Sequence, residues 1–396
     1  MMESLTEMPT TAYDIESTVL ERYQAGARQV EDGLCCPTKY ESEYLDILPA
    51  EIIEKDYGCG DPSRYVKPGE TVVDLGSGSG KICYILAQKV GPQGKAIGVD
   101  FNDEMLTLAK KYQDNIAKQI GYHNVRFVKG KIQDLALDLE AVQRWLSEHP
   151  ITSIEDVAKL EAECDRLRQE QPLIADNSVD VVVSNCVLNL VRPQDKKQLF
   201  AEIYRVLKRG GRAVISDIVC DEDPTAEIIN DPQLCSGCIA GAFREDAFVE
   251  MFAQAGFYGM EILSRQSEPW QVIDGIEFRS VTVQAFKGKD GPCWERNQAV
   301  IYTGPWKQVL DDDGHTYDRG KRTAVCDKTF HILTNPNGPY NGDFLPVEPY
   351  VEIPLEKAGV FDCSRPSIRH PRETKGMNYR VNKDASDCCG PESSCC

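Results

Sequence analysis

The segment VVDLGSGSGKICYILA, residues 72–87, constrains this chain more than any other. A β-branched apolar run ends in Asp74 and Leu75, glycines follow at 76, 78 and 80, and an apolar helical pattern begins at once. A buried strand that turns this sharply into a helix is the opening unit of an open parallel sheet. The pattern then repeats to about residue 286. TVVDL, AIGVD, VRFVKG, VDVVVSN, RAVISD, GMEILS and FRSVTVQAF read as strands, with KICYILAQKV, DEMLTLAKKYQDNIAKQI and KKQLFAEIYRVLKRG as helices between them. The spacing predicts an α/β, Rossmann-like fold with a seven-stranded, mostly parallel sheet covered on both faces. The last two strands run close together and predict an antiparallel edge.

Four regions follow from this. Residues 1–65 read as an N-terminal helical segment, with helical periodicity in ESTVLERYQAGARQVE and AEIIEKDYG. Residues 66–288 form the α/β domain, interrupted at about 136–172 by a charged helical hairpin that carries Cys164. Residues 289–365 hold short apolar runs between DDDG, TNPNG and Pro-rich turns and predict a small β-rich domain. Residues 366–396 are polar and read as a flexible, Cys-rich tail.

A formal net charge of -19 excludes nucleic acid and anionic membrane as partners, because phosphate binding needs clustered Lys and Arg. No apolar run is long enough to span a bilayer. The N-terminus, MMESLTEMPTTAYDIEST, lacks the basic-then-apolar pattern of a secretory signal, so the expected location is cytoplasmic. In that compartment 16 cysteines read as metal binding or catalysis rather than as a disulfide framework.

The glycine loop has GxGxG spacing, not the GxGxxG of dinucleotide folds, and an acid precedes it. In this it resembles enzymes that use S-adenosyl-L-methionine. The expected cofactor set starts with Asp74, Gly76, Ser77, Gly78 and Gly80. Asp100, at the end of the second strand, can accept both ribose hydroxyls. The other reading of Asp100 is a helix cap, a task open to Asn102 or Asp103. Met105 would cover the adenine, Lys131, Ile132 and Gln133 would flank its edge, and Phe101, Tyr57 and Asn185 complete the set.

Cys186 follows Asn185 at the carboxyl end of the fourth strand, the edge that carries the ligand crevice in such sheets. Alone it reads equally well as a small buried hydrophobe. Cys59, between glycines in YGCG, and Cys235 and Cys238, in QLCSGCIAGAF, flank the same crevice. Soft thiolates near a methyl sulfonium suggest a thiophilic substrate. Zinc is the competing ligand, but zinc sites usually show two close ligand pairs and only one CxxC lies outside the tail.

DLGSGSG, GVD, VVVSNCVLNLV, RVLKRGG, SGCIAGAF and the Cys-paired C-terminus together resemble the arsenite methyltransferases, from about residue 30 to 290 and more weakly beyond. The resemblance implies a class I methyltransferase fold and a thiol site for arsenite and methylated trivalent arsenicals at Cys59, Cys186 and Cys238. It also implies a further cysteine at Cys35 or Cys36 that pairs with Cys59 and is reduced by thioredoxin or glutathione. Cys235 has no place in that pattern. The tail cysteines Cys388, Cys389, Cys395 and Cys396 read either as a thiophile trap or as an oxidisable tail. Cys83, Cys220, Cys293, Cys326 and Cys363 stand alone and take a structural reading. Two other functions remain open: methylation of a carbon, nitrogen or oxygen of a small metabolite, and non-catalytic thiol binding of metals.

Overall fold

The computed structural model describes residues 14–31, 38–377 and 379 of the chain. Cys35, Cys36 and the four tail cysteines lie outside the described residues. The chain divides into two compact units, residues 1–288 and 289–396.

In the first unit the strands are β1 (Thr71–Leu75), β2 (Lys95–Asp100), β3 (Val125–Lys129), β4 (Val179–Asn185), β5 (Leu207–Cys220), β6 (Phe243–Arg244), β7 (Tyr258–Arg265), β8 (Gln271–Ile273) and β9 (Ile276–Phe286). They form one sheet in the order β3-β2-β1-β4-β5-β9-β7, with the short β6 and β8 attached to β5 and β9. The pairs from β3 to β5 are all parallel. The seven expected strands make up that path. The antiparallel strand, however, is not the edge: β9 lies between β5 and β7 and runs antiparallel to both. Its alternation-poor sequence FRSVTVQAF fits a strand buried on both faces.

Helices α1 (Ile15–Arg28), α2 (Ser42–Leu45) and α3 (Ala50–Glu54) precede the sheet. Helices α4 (Lys81–Val90), α5 (Asp103–Lys111) and α6 (Gln113–Ile120) cover its first half. The inserted hairpin is α7 (Leu139–Glu148) and α8 (Ile154–Glu170). It sits on the periphery: α7 has no buried residue and α8 only Leu167. Helices α9 (Lys196–Val206), α10 (Ala226–Ile229), α11 (Pro232–Ser236) and α12 (Glu245–Gln254) follow. Because β1 is flanked by β2 on one side and β4 on the other, the strand order reverses there, and a crevice opens at the carboxyl ends.

The second unit holds small sheets from β10 (Trp294–Glu295), β11 (Ala299–Tyr302), β12 (Gln308–Leu310), β13 (Thr316–Asp318), β14 (Arg322–Ala324), β15 (Phe344–Val347) and β16 (Gly359–Val360), with α13 (Asp327–Thr334) and α14 (Pro371–Lys375). Val300, Tyr302, Tyr317, Phe330 and Phe344 are central to its core. The stretch after residue 365 differs from the sequence expectation. It is packed through α14, and Arg369 is fully buried, paired with Glu295 and Glu373. Composition counts these charges as solvated, whereas the fold supplies each with an opposite charge.

Candidate active site

The glycine loop turns by using left-handed backbone, with φ of +68°, +50° and +87° at Gly76, Gly78 and Gly80. A Cβ at Gly76 would strike Val187, and one at Gly78 would meet no protein atom within 4 Å. The loop therefore leaves open space beside Gly78. Asp100 carries its carboxylate to this edge, where Oδ2 accepts from Gly78 N and Oδ1 from Asn102 N, both at 2.9 Å. Capping of α5 falls to Asn102, which accepts from Glu104 N and Met105 N, so Asp100 keeps lone pairs for a ligand.

A cleft opens here. Gly76, Asp100, Phe101, Lys131, Ile132 and Gln133 line it, together with Glu16, Val19, Val187, Leu190 and Val191, which sequence reasoning did not single out. The first two come from α1. Glu16 accepts from Lys131 Nζ at 2.6 Å and from Gln133 Nε2 at 3.3 Å, and so fastens the helix across the cleft. The helical period of ESTVLERYQ was legible, but its docking site was not.

Other expected cofactor residues are placed differently. Asp74 is buried below the loop, accepts from Cys83 Sγ at 3.3 Å, and burial pushes its carboxyl up to about 8. Tyr57 and Met105 pack with Ala27 and Tyr23, and Ser77 Oγ is buried without a partner. Asn185 engages the Cys59 segment. Its Oδ1 accepts from Cys59 N and Gly60 N at 2.9 Å, and its Nδ2 donates to Gly60 O and Tyr40 Oη. Gly58 permits this approach, since a Cβ there would lie 2.0 Å from Asn185 Nδ2.

Cys59, Cys186 and Cys238 share one buried cluster. The Cys59 and Cys186 sulfurs and an Asp217 carboxylate oxygen all lie within 4.8 Å of one another. Cys186 is also in hydrogen-bonding contact with the Cys238 side chain, whose Sγ donates to Cys186 O at 3.0 Å. Asn189 steadies this loop by donating to Ile218 O and Cys238 O. Hydrogen bonding to Cys238 and Cys59, and then burial, raise the Cys186 thiol well above its ordinary pKa. Burial raises that of Cys59. Asp217, fully buried at the end of the same cluster, is pushed up to about 6 by desolvation although Ile218 and Leu188 amides donate to it.

Backbone geometry marks the same residues. Five non-glycine residues have left-handed φ among the described residues; three are Asn or Asp, which tolerate it, and the other two are Cys186 (+62°) and Cys238 (+64°). Such strain is retained where a side chain must be aimed. Cys235 faces elsewhere, packing with Ile15, Val19 and Leu190 beneath α1. The CxxC is thus split between two environments.

A sheet of this order, with a GxGxG loop and an acid at the end of β2, defines an S-adenosylmethionine-dependent methyltransferase of the Rossmann-like class. Accordingly, a family model described as a methyltransferase domain matches residues 66–171 and 163–256, and a second, described as a domain of unknown function, matches 289–379. The chain is 32% identical over 337 residues to the arsenite methyltransferase of Aquipseudomonas alcaligenes, covering 80% of this chain and 86% of that one. It is 29% identical over 376 residues to the human arsenite methyltransferase, covering 90% and 89%. Among solved structures, it superposes with a TM-score of 0.52 on an arsenic(III) S-adenosylmethionine methyltransferase from Chlamydomonas reinhardtii, at 26% identity over 83% of this chain and 100% of that one. The chain belongs to the arsenite methyltransferase family, enzymes that move methyl groups from S-adenosylmethionine to trivalent arsenic.

Proposed function

We propose that Cys59, Cys186 and Cys238 hold the arsenic of arsenite while it is methylated. The observation that carries this reading is the meeting of the three thiols at the carboxyl edge of the sheet, with Cys186 adjoining Val187 of the cofactor cleft. The Cys59 and Cys186 thiols, held protonated, are a suitable starting state. Arsenous acid condenses with a neutral thiol by breaking As–O and forming As–S, and the thiol proton leaves as water. Zinc would require the thiols to ionise, beside a buried carboxyl that opposes it.

S-adenosylmethionine, when bound, supplies an electrophilic methyl group on a sulfonium sulfur. Gly76, Asp100, Phe101 and Ile132 would hold it, with Asp100 accepting the ribose hydroxyls. The chain's task is then positioning: three sulfurs fix arsenic with its lone pair free, and no side chain has to remove a proton. Asn185 holds Cys59 in register with Cys186, and α1 covers the cleft.

Methyl transfer takes arsenic from trivalent to pentavalent. Two thiols return it to the trivalent state by giving up two electrons and forming a disulfide between Cys59 and Cys35 or Cys36, which a thiol reductant, thioredoxin or glutathione, then reduces. Support for that pairing is that Thr38 and Lys39, close in sequence to Cys36, line the same cavity as Cys59. The described cysteines are thiols rather than disulfides, which suits a reducing, cytoplasmic location. Among the described residues no helix is long and apolar enough to cross a membrane.

Arsenic X-ray absorption on the protein with bound arsenite tests the site. Three sulfur neighbours are expected in the natural protein and two in Cys59→Ser. Coordination dominated by oxygen would reject the reading.

A further inference from the structure

Cys293 and Cys326, far apart in sequence, come together in the second unit. Cys293 immediately precedes β10, and Cys326 is the N-cap of α13, its Sγ accepting from Thr329 N at 3.5 Å. Two links clamp the segment around Cys293 onto the start of that helix. Lys328 Nζ donates to Gly291 O at 3.2 Å, and Arg296 Nη1 pairs with Asp327 at 2.7 Å. These links, at Gly291 and Arg296 on one segment and at Asp327 and Lys328 on the other, bring Cys293 beside Cys326, and both are free thiols. Cys326 is buried, whereas Cys293 is partly exposed and gives the pair an opening to solvent. Burial, with the Cys293 sulfur alongside, raises the Cys326 thiol above its ordinary pKa.

We infer that Cys293 and Cys326 form a second dithiol site, separate from the catalytic thiols, which binds monosubstituted trivalent arsenicals. The stoichiometry matches. An organoarsenous acid, R–As(OH)2, has two exchangeable positions, and the site offers two sulfurs. Binding breaks two As–O bonds and forms two As–S bonds, both thiol protons leave in two waters, and arsenic stays trivalent. Arsenite would retain one hydroxyl there and be held less completely than at a three-thiol site. The inference does not depend on which cysteines perform catalysis, and it gives a ligand class to a domain whose family model carries no function.

The test uses the full chain and phenylarsine oxide. Native protein is treated with iodoacetamide, with and without the arsenical, and alkylation of Cys293 is read by peptide mass spectrometry. The expected result is loss of Cys293 alkylation with the arsenical and its return when 2,3-dimercaptopropanol is added. In Cys326→Ser the protection should disappear. Serine is a preferred N-cap residue, so that variant keeps the start of α13 intact. Absence of protection in the natural protein would overturn the proposal. So would protection that persists in Cys326→Ser, since it would assign the arsenical to another thiol such as Cys363. Protection of Cys186 in the same samples is read separately, so failure of this site and failure of the catalytic thiol site are distinguishable.

Discussion

The cofactor loop and the thiol cluster occupy the same edge of one sheet, yet they are built in opposite ways. The loop is one contiguous turn in which glycines supply the shape and backbone amides orient a single carboxylate. The thiol cluster is assembled from three distant segments, fastened by side chains such as Asn185 and Asn189 and aimed by strained backbone at two cysteines. The first should tolerate many changes that preserve backbone shape. The second depends on the identity of single atoms.

The largest effect should therefore come from a one-atom change. Cys186→Ser is expected to abolish arsenite methylation while calorimetry gives an unchanged affinity for S-adenosylmethionine. Retained turnover would erase the contrast between the two regions.

Next, Cys59→Ser should separate the substrates. A monomethyl trivalent arsenical offers two exchangeable positions and needs two thiols, and Cys186 and Cys238 belong to the rigid sheet edge. Activity on arsenite should be lost and activity on the methylated substrate kept, measured with saturating cofactor and reductant. Loss of both would make Cys59 part of a fixed three-sulfur unit.

On the other side, Asp100→Ala should cost about 1.5–3 kcal/mol in cofactor binding, roughly ten- to a hundredfold in affinity. Arsenical binding should stay the same. A matching loss of arsenical binding would show the two regions to be coupled.

The last effect concerns pH and stability rather than turnover or binding. The folded pKa of Asp74 is about 8 against an ordinary 3.8, so the folded chain binds the extra proton. Its contribution to stability is full below about pH 4 and is lost as pH rises toward about 8. Asp74→Asn removes that titration, and its urea midpoint should fall less between about pH 5 and about pH 8 than that of the natural protein. Equal slopes would mean that another buried group, such as Asp217, sets the dependence.

Legibility followed the same division. The loop, the position of Asp100 and the seven strands could be read because their signals are local: glycine spacing, an acid at a strand end, β-branched runs. Asn185 was read as lying at the crevice, and it does lie at that sheet edge, but its amide is committed to Cys59 and Gly60, which only the folded chain brings near. The role of α1 was invisible for the same reason, since Glu16 meets Lys131 and Gln133, which lie 115 and 117 residues further along the chain. Cys293 and Cys326 read as isolated because a strand and a helix cap carry no mutual signal in sequence. Arg369 read as part of a solvated tail because charge counts do not reveal Glu295 and Glu373 as its partners.

The left-handed conformations at 186 and 238 also bear on how such a chain can decay. Glycine adopts that conformation without steric cost and is one or two base changes from a cysteine codon. At either position, then, local conformational ease and the proposed arsenic-holding role favour different residues. In a lineage no longer exposed to arsenic, mutation can relax these two sites without unmaking the sheet beneath them. Such descendants would keep the strand order and the glycine loop, and thus the outward look of a methyltransferase, after losing the element that justified it. On the proposed arsenic site, checking for a thiol at both left-handed positions is therefore a sharper way to separate working relatives from silent ones than checking the loop.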